Sequence, residues 1–67
     1  MISIILNGEP RQVRGGSIAD LVASLGLDVK KVAVERNRDI VPRSILGDVA
    51  LAENDVLEIV HFVGGGC

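Results

Sequence analysis

The stretch SIADLVASLG, residues 17–26, limits what this chain can fold into more than any other feature. Ile18, Leu21, Val22 and Leu25 recur at i, i+3, i+4 and i+7, the spacing of one apolar stripe on a helix of about two and a half turns. Ser17 stands where an N-cap belongs, Asp20 follows three residues later as a capping-box partner, and Gly26 supplies a left-handed C-cap. One helix has one face to bury. It can cover one side of one sheet, so the expected class is α+β, a mixed sheet of about five strands wrapped on a single helix.

The flanking segments supply the strands. Ile2, Ile4 and Leu6 alternate along the first, and NGEP follows, where Asn-Gly is a strong hairpin signal. A second strand is expected over RQVR. After the helix, KKVAVERN and RDIVPR read as two more strands joined by a polar turn at Asn37 and Arg38. Pro42 cannot donate to a ladder, so the second of these is expected to be short and at an edge. SILGDVALAEND reads as a turn of helix and a loop, with Asn54 and Asp55 as turn residues. The last strand, VLEIVHFV, places Leu57, Ile59, His61 and Val63 on one side and Val56, Glu58, Val60 and Phe62 on the other. Glu58 marks the second side as facing solvent. A crossover from the second strand through the helix to the third or the last strand is expected to set a parallel pair at the sheet centre. That arrangement is the β-grasp, or ubiquitin-like, fold.

Composition removes several function classes. At 67 residues with a single cysteine and one histidine, no internal disulfide or zinc set is expected, so an aliphatic core must stabilise the chain alone. Net charge is −2, and the seven basic residues are scattered, with Phe62 the one aromatic side chain. Nucleic acid is therefore not an expected partner. No apolar run approaches the roughly 20 residues of a membrane helix, and the N-terminus reads as a strand and not as a signal peptide. The expected state is a cytoplasmic, soluble monomer.

HFVGGGC closes the sequence. Three glycines have no side chains to pack and much backbone entropy to lose, so residues 64–67 are expected to form a flexible tail after a domain spanning 1–63. Such a tail is either a plain linker or a segment that a partner must enclose. A Gly-Gly-Ser opening onto a helix could bind an anion, although turn and cap account for it.

LNG at the end of the first strand, VERN at 34–37, IVPR at 40–43 and DVLEIVHFVGGG at 55–66 resemble the ThiS sulfur carriers of thiamine biosynthesis. The resemblance spans essentially the whole chain, and the last strand with its tail is its specific part. It implies a carrier and co-substrate, not an enzyme. The terminal glycine, here Gly66 with Gly65 before it, is adenylated with ATP and magnesium by an activating enzyme related to ubiquitin-activating enzymes. It then becomes a thiocarboxylate whose sulfur thiazole synthase takes. No cofactor is bound by the carrier itself. A carboxylate is a poor electrophile and must become a mixed anhydride before sulfur attacks, and glycines pass a narrow channel where a Cβ would clash. Cys67 departs from the family pattern, because its amide blocks the Gly66 carboxyl. Removal by a peptidase is the leading expectation; an engineered handle and participation of the thiol are the others. The small subunit of molybdopterin synthase, a ubiquitin-like modifier and a β-grasp binding module remain as alternative readings.

Val60, Phe62, Val63 and Gly64 are the expected partner-binding residues, with Ile5 as a further apolar candidate on the face away from the helix. His61 reads as a strand residue, since no second titratable group accompanies it. Arg36, Arg38, Arg43, Glu35 and Asp39 read as a solvated, charged hairpin edge.

Overall fold

The structure, a computed structural model, describes residues 1–62; Val63, Gly64, Gly65, Gly66 and Cys67, and the expectations placed on them, lie outside the described residues. Five strands and one helix follow in the order β1 Ile2–Leu6, β2 Glu9–Val13, α1 Ile18–Ser24, β3 Val32–Arg36, β4 Asp39–Val41 and β5 Val56–His61. Single 3₁₀ turns lie at Val29–Lys31 and Arg43–Ile45. The sheet order is β2-β1-β5-β3-β4, with β1 and β5 parallel and the other neighbours antiparallel. This is the expected β-grasp sheet on one helix. A parallel pair does occupy its centre, but β1 and β5 form it, while β2 stays at the edge.

Local chemistry explains most boundaries. Asn7 and Gly8 both have positive φ, 50° and 83°, the mirror-image turn whose twist suits a two-residue hairpin. Strand β2 starts at Glu9, two residues earlier than RQVR suggests, because the turn ends at Gly8 and Pro10 pairs with Ile5. On an edge strand, the missing Pro10 N–H costs no ladder bond. Asn37 and Arg38, at φ 52° and 75°, make the same kind of turn between β3 and β4. As expected, β4 is short and at the edge, and it ends one residue before Pro42.

The helix is closed at both ends. Ser17 Oγ accepts from the Asp20 N–H at 3.1 Å, and Asp20 Oδ2 accepts from the Ser17 N–H at 3.0 Å, completing the capping box. The Ile18 N–H donates to Val49 O and the Ala19 N–H to Leu46 O, both at 3.0 Å. The first turn thus has no N–H left for an anion, and the Gly-Gly-Ser opening is a cap. At the other end Gly26, at φ 76°, donates to Ala23 O, and Leu27 to Val22 O, the pair of bonds that defines a Schellman stop.

Ile18, Leu21 and Val22 pack onto Ile4 and Leu6 of β1, Val32 and Val34 of β3, and Leu57 and Ile59 of β5. The loop after β4 contributes more than its polar appearance suggests, because Leu46 is fully buried and Leu51 nearly so. Among the described residues no buried side-chain nitrogen or oxygen lacks a hydrogen-bond partner.

Candidate functional site

The last strand is the middle strand of the sheet and leads straight to the glycines. Its inner face, Leu57 and Ile59, anchors in the core, whereas Val60 is 58% exposed and Phe62, just past the strand end, 47%. Alternation of side chains puts Val56, Glu58 and Val60 on the outer face, as the sequence predicts. His61 ends the strand opposite Val32 and is exposed.

Ile40 joins this face, although sequence reasoning did not single it out; it is 77% exposed. Ala33 lies opposite Val60, and Ile40 lies opposite Glu35. Phe62, Ile40 and Pro42 line one shallow groove over Ala33 and Val41. Ile5 and Val56 are neighbours in the parallel pair, and Glu58 lies between Val56 and Val60 along β5. The patch around Val60 and Phe62 is therefore built from β3, β4 and β5, with Ile5 outside it. Of the expected partner-binding residues, the structure brings Val60 and Phe62 together; Val63 and Gly64 lie outside the described residues, as do Gly65 and Gly66.

Two asparagines hold β5 in place. The Asn7 side chain accepts from the Ile59 N–H at 2.8 Å and donates to Ile59 O at 3.3 Å, which extends the β1 ladder past the end of β1. Asn37 Oδ1 accepts from the Val56 N–H at 2.9 Å, and its own N–H donates to Val56 O at 2.7 Å, which extends the β3 ladder at the other end. Both amides imitate a backbone at a hairpin turn.

Asp55, read from sequence as a turn residue, closes a turn, its N–H donating to Ala52 O at 3.1 Å, and is also the one buried charge among the described residues, 4% exposed. Its carboxylate accepts from the Ala52 N–H at 2.8 Å, Arg36 Nε at 3.0 Å and Asn37 Nδ2 at 3.2 Å. Burial works to raise its pKa, but the bonds from Ala52, Arg36 and Asn37 and the nearby guanidinium outweigh it. The carboxyl is held below its ordinary value. Arg36 therefore belongs to the anchor of β5 and not to a solvated edge, and Arg43 donates to Lys30 O at 2.8 Å. The ion pair has no local signal in the sequence, since Arg36 is 19 positions away. Among the described residues no cluster of three or more His, Cys, Asp or Glu could hold a metal, and no helix is long and apolar enough to cross a membrane.

Relatives share this frame. A thiazole synthase of Magnetococcus marinus is 47% identical over 66 residues, 97% of this chain but 20% of that protein, so the chain spans about a fifth of its length. The sulfur carrier protein ThiS of Bacillus subtilis is 53% identical over 51 residues, which cover 76% of this chain and 77% of the relative. Among solved structures, the thiamine biosynthesis protein ThiS of Geobacter metallireducens matches with a TM-score of 0.81 at 25% identity, covering 97% of this chain and 100% of that one. The ThiS family model matches residues 4–66, from the first strand through the third glycine. The match thus runs from the first strand through the glycines that follow the central last strand, and the chain belongs to the ThiS family.

Proposed function

We propose that this chain carries sulfur on the carboxyl group of Gly66 and delivers it for thiazole formation in thiamine biosynthesis. A peptidase first hydrolyses the Gly66–Cys67 amide and frees the carboxylate. An adenylating enzyme then directs that carboxylate onto the α-phosphorus of ATP, expelling pyrophosphate. Hydrosulfide attacks the acyl carbon and expels AMP, and loss of the S–H proton leaves a thiocarboxylate. Activation supplies the leaving group that a bare carboxylate lacks. Val60 and Phe62, with Val63 and Gly64 following, dock the partner that receives the glycines.

The observation that carries this reading is the extent of the family match, which includes all three glycines and stops before Cys67. The match to a protein named thiazole synthase supports that enzyme as the sulfur acceptor, and the ThiS relative and the solved structure described as a thiamine biosynthesis protein favour it over molybdopterin synthase. Catalysis resides in the partners; the carrier contributes a reactive terminus and a surface.

Intact-mass measurement tests the proposal. A chain ending at Gly66, incubated with activating enzyme, ATP and a sulfur donor, gains about 16 Da as one oxygen becomes sulfur. The chain ending at Cys67 stays unchanged until a peptidase trims it. Sulfur gained by the untrimmed chain and refused by the trimmed one would make Cys67 the carrier.

A further inference from the structure

Glu35 and Glu58 stand directly opposite each other on β3 and β5, both exposed on the outer face of the sheet. The flanking bonds, Phe62 N–H to Lys31 O and Asn37 N–H to Val56 O, make theirs a hydrogen-bonded pair, so their Cβ atoms are roughly 5 Å apart. Like charges in that position destabilise a sheet. Among the described residues the one ion pair is Arg36–Asp55, so neither glutamate has a salt-bridge partner there. Their neighbours on the face are apolar, with Ile40 beside Glu35 and the Ala33–Val60 pair one step along the ladder.

These residues enclose a shallow cleft of about 130 Å³. That is well below the roughly 300 Å³ at which small-molecule sites begin, and suits one side chain. We infer that the cleft receives an arginine of the partner protein, its guanidinium between Glu35 and Glu58 and its aliphatic stem along Ile40 and Val60. The inference rests on the docking reading above. Two carboxylates at this spacing match the planar fork of arginine better than the point charge of lysine, and the methylenes need the apolar border. A second copy of the chain would bring its own carboxylate pair against this one, and a nucleic acid or anionic membrane would be repelled. Charge complementarity thus selects a basic protein surface.

Binding of the full chain to its activating enzyme, measured by calorimetry at low and high salt, tests this with Glu35→Gln/Glu58→Gln and, for docking itself, Phe62→Ala. The double glutamine variant is expected to melt higher than the parent yet bind about tenfold or more weakly, with most of the salt dependence gone. The phenylalanine variant weakens while keeping its salt dependence. Should only Phe62→Ala weaken the complex, the face docks by apolar contact alone and the arginine is wrong. Unchanged partner affinity with new self-association of the glutamine variant, seen by sedimentation, would assign the carboxylates to keeping the face soluble. Parent-like binding by both variants would remove the docking surface, and the inference with it.

Discussion

Replacing Asp55 with asparagine keeps the shape of the side chain and removes the charge that Arg36 faces. Because Asp55 is buried and Arg36 is about one-third exposed, the loss at neutral pH should be about 1–3 kcal/mol, below the roughly 3–5 kcal/mol that breaking a fully buried pair costs. The folded pKa lies below the unfolded value of about 3.9, so protons bind the unfolded chain first. The stabilisation is complete above that value and is lost as pH falls through the folded pKa. Urea midpoints from pH 7 down to 2 should therefore fall less steeply in Asp55→Asn than in the parent; equal slopes would assign the acid limb to other carboxylates. Val60 and Phe62 were legible as outward residues because a six-residue strand with a glutamate between apolar neighbours reveals its faces. Ile40 was not, since three residues of β4 give too little alternation, and the burial of Asp55 was hidden because its side-chain partners, Arg36 and Asn37, arrive from another hairpin.

Helix α1 was legible nearly to the residue, for its caps are written in its own local sequence. Gly16 shows how tightly that cap is built: a Cβ there would sit 2.8 Å from Asp20 Oδ2, and its φ of 139° suits glycine alone. Gly16→Ala should cost about 1–2 kcal/mol by displacing the capping carboxylate and straining the backbone, read as a lowered melting temperature with unchanged β-sheet signal. Gly15→Ala is the control, since a Cβ there meets nothing within 4 Å. Strand β2 was misplaced by two residues because Glu9 and Pro10 look like turn chemistry, and only pairing with β1 makes them strand. The burial of Leu46 was equally unreadable, because it depends on a loop folding back under the helix N-terminus.

At the scale of the whole molecule, the fold separates what must stay fixed from what must be offered. Phe62→Asp should leave cooperative unfolding intact, since about half of that ring is already exposed, while weakening the activating-enzyme complex at least tenfold, about 1.4 kcal/mol. A non-cooperative melt would put Phe62 in the core and reject it as a docking residue. The α+β class and the β-grasp followed from one helical stripe among β-rich runs, whereas the identity of the central parallel pair depended on which distant strands meet. That pairing has a mechanical meaning. β1 enters the sheet from the N-terminus and β5 leaves it toward the glycines, side by side and in the same direction. Tension on the C-terminal end runs along β5 and loads the ladders on both flanks lengthwise, many bonds together. Loaded in this way the sheet is set to resist like a lap joint in shear and not to peel open like a zip, because the bonds on both flanks of β5 share the load at once.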